Sequence, residues 1–149
     1  MPAIQTSYGL TQARFVEGMI PDMRPRTVVS RVVETAAGIG FGKVAVRGTG
    51  DNQVRVSEAS RGFVGIAVLD NTQVGATADT YPQNSVANII TKGPVVVIAS
   101  VAVADGDPVY FVPATGVLTN VSTSNTLIPN AVWEVTTTTT NQLSVVYLG

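Results

Sequence analysis

The feature that most constrains this chain is its punctuation. From residue 27 to the end, Val, Ile and Thr dominate, and Gly, Pro, Asn and Asp interrupt them at short intervals. β-Branched side chains are stiff at χ1 and sit well on a pleated sheet, whereas the interrupting residues supply turn conformations. This pattern predicts strands near 27–34, 41–47, 53–56, 63–69, 86–91, 94–99, 108–112, 116–120, 131–137 and 143–148. Turns are expected at 48–52, Asp70-Asn71, Lys92-Gly93, 105–107, 114–116 and Asn141, with a surface loop over 71–85. About ten short strands with regular turns point to a sandwich, a jelly roll or a closed barrel. No segment between strands has the length and period of a crossover helix, which argues against a parallel α/β architecture.

Residues 1–26 read differently. Pro2, Gly9, Gly18, Pro21 and Pro25 break up isolated large apolar residues, including Tyr8, Leu10, Phe15, Met19, Ile20 and Met23. Proline lacks an amide proton and restricts the residue before it, so a helix near Pro21 and Pro25 is disfavoured. A helix has room only over 9–18. The division expected is an extended arm over 1–26 and a single β domain over 27–149. Phe15, Met19, Ile20, Met23, Arg24 and Arg26 form the candidate interface. The apolar members need a surface, because an exposed apolar strip is rare on soluble proteins. Arg24 and Arg26 are expected to meet carboxylates of a neighbouring subunit at its rim. Removing residues 1–23 is expected to leave the β domain folded.

Chemistry is limited by what the chain lacks. It has 149 residues, one domain's worth, with no Cys and no His. That removes disulfides, thiolate zinc sites and the commonest general base. Charged residues make up only 13% of the chain. A surface so poor in charge suits a protein that lives against partners. Residues 1–61 hold eight basic and five acidic side chains, and residues 62–149 hold one and five. The halves therefore carry +3 and −4. The basic residues are too dilute for a nucleic-acid footprint. No targeting segment is visible, and the apolar run 95–104 is too short to span a membrane.

Four motifs invite chemistry and each has a plainer reading. Gly38-Ile39-Gly40-Phe41-Gly42-Lys43 fails the phosphate-loop spacing and leads into a strand where that loop needs a helix. Asp105-Gly106-Asp107 could bind Ca²⁺, but too few oxygen ligands lie near, and a tight turn explains it. The run Thr136 to Thr140 reads as the polar end of a strand that turns at Asn141-Gln142. Trp133 reads as core or interface filler, since no second aromatic stands beside it. No serine has a plausible activating partner. The expectation is therefore no enzyme activity, no cofactor and no bound metal.

The order of several segments resembles one family. The arm carries Arg14-Phe15-Val16-Glu17-Gly18-Met19. Then follow Val29-Ser30-Arg31-Val32-Val33-Glu34, the Gly-rich approach at 38–43 and Phe63-Val64-Gly65-Ile66-Ala67. Next are Lys92-Gly93-Pro94-Val95-Val96-Val97, Ala104-Asp105-Gly106-Asp107-Pro108-Val109-Tyr110 and Ala114-Thr115-Gly116. Together and in this order they resemble the structural cement, or capsid decoration, proteins of tailed phages. The resemblance covers nearly the whole chain. It implies a jelly-roll-like β domain that binds the outer surface of the capsid and clamps neighbouring major capsid protein subunits. It also implies a virion location after assembly in the host cytoplasm, with a dimer or trimer on the shell and no nucleic-acid or membrane partner. It supplies no catalytic residue. A ligand- or receptor-binding β module of a virion is the alternative, using loop 71–85 and the Thr row. The low aromatic content, 6%, weighs against sugar stacking.

Overall fold

The computed structural model describes residues 15–57, 62–73, 75 and 77–149. Among them lie eleven strands and no helix. They are β1 (Thr27–Val33), β2 (Ile39–Gly40), β3 (Val44–Arg47), β4 (Gln53–Arg55), β5 (Phe63–Ala67), β6 (Thr80–Tyr81), β7 (Val86–Ala99), β8 (Pro108–Phe111), β9 (Leu118–Thr119), β10 (Thr126–Trp133) and β11 (Gln142–Leu148). The fold is all-β and jelly-roll-like, as expected. Most of residues 9–18, where a helix had room, lies outside the described part.

Strand β7 organises the rest. Its first half pairs with β1 and β5, and its second half pairs with β11 from Gly93 to Ala99. The order β1-β4-β3-β5-β7 closes on itself through the β1–β7 pairing. The order β7-β11-β10-β8-β9 closes through β7–β9. Two small closed circuits therefore share one strand. Closure leaves few unpaired edges, the usual hazard of an all-β protein. Two of the pairings, β1–β4 and β7–β9, are parallel, and both are very short.

The side-chain period of two fills two cores from the same strands. Val33, Ala45, Val54, Ala67, Ala87 and Ile89 point into the first circuit. Val44, Val46, Ile66 and Ile90 point the other way, onto Val95, Val97, Val109, Phe111, Trp133 and Val146 of the second. Strands β3 and β5 are thus buried on both faces, so they read as continuous apolar runs and not as alternation. Residues Ile39, Phe41 and Tyr81 cover the first core, with the Phe41 and Tyr81 rings edge to face at 5.1 Å. Trp133 is fully buried, and its Nε1 meets no acceptor. It is core, not platform.

Several boundaries differ from expectation. The turn at Lys92-Gly93 is absent, and β7 runs straight through it. Gly93 sits at φ +109°, and a Cβ there would lie 2.7 Å from the Arg26 Cβ. The β1–β7 register also slips beside it, leaving an extra residue on β7. The glycine therefore marks a bulge and a close approach. Strand β10 spans Thr126–Trp133, earlier than the expected 131–137. Within loop 71–85, Thr80–Tyr81 forms a strand that pairs with Ile39–Gly40.

Residues 15–22 lie along the body. The Gly18 amide donates to the Val96 carbonyl (2.8 Å), and the Val96 amide donates to the Met19 carbonyl (2.9 Å). The Leu69 amide donates to the Gly18 carbonyl at 2.8 Å. Ile20 packs on the larger core. Gly18 has φ +84°, and a Cβ there would meet the Leu69 N and the Phe41 Cβ, both at 2.9 Å. The segment fills the side of β7 opposite β11, between β1 and β9.

This geometry revises the outcome of removing residues 1–23. That truncation strips hydrogen bonds from Val96 and Leu69 and uncovers core, so a marked fall in melting temperature is expected by calorimetry. A truncation of 1–14 leaves these contacts in place and should lower the melting temperature less than the removal of 1–23. A second prediction concerns the shared strand. A Cβ at Gly65 would stand 2.2 Å from the Ile90 carbonyl oxygen and 2.6 Å from the Ile89 Cγ2. Gly65→Ala should destabilise by at least ~1–3 kcal/mol through overpacking, read as a lower denaturant midpoint.

Candidate functional site

The motif residues are engaged in holding the fold. Lys43 donates to the Glu17 carboxylate at 2.6 Å, which ties the N-terminal segment to β3. Its ammonium is directed to that contact and not to a phosphate cradle. Thr137 is buried and trades two bonds with residue 103: its amide donates to the Val103 carbonyl, and the Val103 amide donates to its hydroxyl. The Thr136 hydroxyl accepts from the Asp105 amide. The amides of Thr138 and Thr139 both donate to the Gln142 side-chain oxygen. The Thr run is therefore a latch between a loop and the 103–105 turn.

The two aspartates have unequal roles. The Asp107 Oδ2 accepts from the Ala104 amide at 2.9 Å and the Asn120 amide group at 2.8 Å. Those two donors hold its carboxyl below the usual carboxylate range, the Ala104 backbone contributing most. Asp105 is exposed at the tip. Among the described residues no three acidic side chains gather as a metal site would need.

The six candidate interface residues divide into two sets. Ile20 is packed on the core, and Met19 is partly buried beside its bond to Val96. Phe15 lines a surface hollow with Pro21, Asp22, Arg24, Glu134, Val135 and Val145. Arg24 is clamped by its own chain. Its two terminal nitrogens donate to the two Glu134 oxygens at 2.6 and 2.7 Å, and its Nε donates to Asp22 at 3.0 Å. The guanidinium also lies 5.1 Å from the centre of the Tyr147 ring. Such a planar fork is worth more than a single contact. Glu134, then Asp22, raises the Arg24 pKa, and Arg24 in turn lowers that of Asp22. The expectation that Arg24 meets a neighbour's carboxylates is thus replaced by an internal clamp. Nothing in the sequence pairs Arg24 with Glu134, 110 positions away.

Met23 and Arg26 remain outward. Met23 is 95% exposed, and Arg26 is exposed at the start of β1. The clamp at Arg24 and the turn at Asp22 hold Met23 out. Further exposed apolar residues stand at Val16, Leu127 and Val132. The last two lie either side of the β10 bulge, where Pro129 and Asn130 (φ 60°) break the β8 pairing. Sequence reasoning missed them because that bulge reads as a loop.

A family model described as structural cement protein (E217 gp24/Pam3 gp6) matches residues 4–149. No curated protein matches the sequence. Among solved structures, the chain is similar to one in the capsid of Myoviridae phage XM1, with TM-score 0.78 and 17% identity, covering 99% of this chain and 98% of that one. It is also similar to the N base of head fibre gp8.5 of bacteriophage phi29, with TM-score 0.52 and 11% identity, covering 84% and 95%. At these identities the likeness is one of fold.

The Asp107 contacts generate a pH prediction. Its pKa is lower folded than free, so its stabilisation is present above the ordinary carboxylate value and is lost as pH falls through the folded value. Asp22 and Asp70 are shifted the same way by Arg24 and Thr72. The melting temperature should therefore drop on acidification below about pH 4. Asp107→Asn should lower it at pH 7 and shrink the difference between pH 7 and pH 3.

Proposed function

The chain belongs to the phage structural cement protein family, and on that premise we propose that it stabilises the shell from outside by bridging major capsid protein subunits. A structural role in the virion capsid follows from the family. The observation that supports the finer reading is the family match over residues 4–149, which spans nearly the whole chain. We treat residues 1–26 as the strap and 27–149 as the body. Within the strap, Gly18 and Met19 bond Val96 of β7, so the outward residues that follow them are presented rigidly and lose little entropy on contact. Met23 and Arg26 are the contacts we assign to it, with Phe15, Met19, Ile20 and Arg24 holding them in place.

The mechanism needs no catalysis, cofactor or metal. A rigid body that touches two subunits already held close adds the second contact at high effective concentration. Binding the assembled shell and not its free subunits favours the shell by mass action. A dimer or trimer on the shell would multiply these contacts. Completion of the particle in the host cytoplasm is the setting this implies.

The test is co-sedimentation with empty expanded capsids of the phage that encodes the chain. Wild type should pellet at a fixed ratio to capsid protein. The double variant Met23→Asp, Arg26→Ala should melt like wild type, because both side chains are exposed, and should bind about tenfold or more weakly. Failure of the wild-type chain to pellet contradicts the cement reading. Unchanged binding by the variant removes the strap from the contact.

A further inference from the structure

Side chains of β8, β10 and β11 alternate between the second core and an outer face. Val109, Phe111, Ile128, Trp133 and Val146 point into the core, so Pro108, Tyr110, Leu127, Val132 and Tyr147 point out. Leu127 stands opposite Tyr110, and Val132 stands between Pro108 and Tyr147. Pro108 and Tyr110 are next-but-one neighbours on β8, so the β10 bulge brings Val132 and Leu127 to within about 7 Å along the strands. Leu127 is 49% and Val132 39% exposed. Beyond Leu127 the face opens into a hollow of about 450 Å³ lined in part by Phe63, Val64, Thr91 and Pro129. None of the five outward residues, and no described residue lining the hollow, has a charged side chain. At the border, Asp22, Arg24 and Glu134 are engaged with one another.

Position and size select the occupant. Met23 follows Asp22 and precedes Arg24, whose guanidinium stands over the Tyr147 ring. Its 95% exposure makes it project from this same face. A body that reaches Val132 therefore reaches Met23 as well. The face spans three strands, roughly 10 Å, and about 7 Å along them, whereas a stable pair of proteins buries about 800 Å² a side. It is too small to hold a second copy by itself. It has the size to extend a contact already made at Met23.

We infer that the outer face of β8, β10 and β11 extends the shell contact beyond Met23 and receives an uncharged, apolar part of the capsid shell protein. A large apolar side chain of that protein seats in the hollow beside Leu127. This inference rests on the cement reading and names the chemistry of the partner surface within it.

The double variant Leu127→Ser, Val132→Thr tests it, because it removes apolar surface, adds no charge and leaves the β10 hydrogen bonds in place. The full chain is tested with the same empty expanded capsids, well below the melting temperature of either form, with sedimentation velocity of the free chain as a control. The variant should stay folded and bind at least about tenfold more weakly. That loss should be the same at low and high salt, because no charge is involved. If wild type binds and the variant binds equally, the inference is overturned and the cement reading stands. It is likewise overturned if the loss appears only at low salt, or if the variant alters only self-association, because the face then serves a second copy. A variant that melts lower but binds as wild type also overturns it, since the face is then covered within the free chain. If wild type does not bind shells at all, both readings fall. Should the double variant fail to fold, Val132→Thr decides alone, with binding at least about threefold weaker.

Discussion

The ladder along β7 is the interaction on which the rest depends. Its fourteen residues take partners from β1 and β5 at one end, and from β11 and β9 at the other. Each circuit is too small to hold much core alone. Sharing a strand lets Ile89 face one core and Ile90 the other, so both cores are fixed in one rigid unit. The bulge at Gly93 carries β7 from the first circuit into the second. Without a residue able to hold φ +109° against Arg26, the strand could not make that passage.

The N-terminal segment from residue 15 onward depends on the same strand. Beyond Lys92, β7 has no β1 partner, and before Ala99 it has no β9 partner. Gly18 and Met19 sit in that gap and bond Val96. Glu17 with Lys43 and Arg24 with Glu134 then pin the segment at two points. The ion pairs are partly exposed, so each adds modestly to stability. Their larger effect is positional, since they fix which side chains face out. A cement protein needs such a fixed outer surface more than it needs a cleft.

Much of the fold was legible in the sequence because the strands are short and turn chemistry is local. The positions of β1, β3, β4, β5, β8 and β11 follow from β-branched runs and the glycines and aspartates between them. What failed were places where a long-range contact decides. Lys92-Gly93-Pro94 looks like a turn, but its glycine serves a neighbouring chain segment. The Thr run has strand propensity, yet its hydroxyls and amides are spent on Val103, Asp105 and Gln142. Strands β2 and β6 are two residues each and leave no periodic signal. In the strap, the apolar residues were visible as a group. Which of them face inward depends on β7, and that contact has no local trace.

If the chain bridges capsid subunits as proposed, it strengthens an assembled shell. Scanning calorimetry of empty expanded capsids, with and without saturating protein, tests it most directly. The shell transition is expected to move to higher temperature, with a shift that saturates at a fixed ratio of this chain to capsid protein. A shell transition that stays in place while the protein is bound would contradict it.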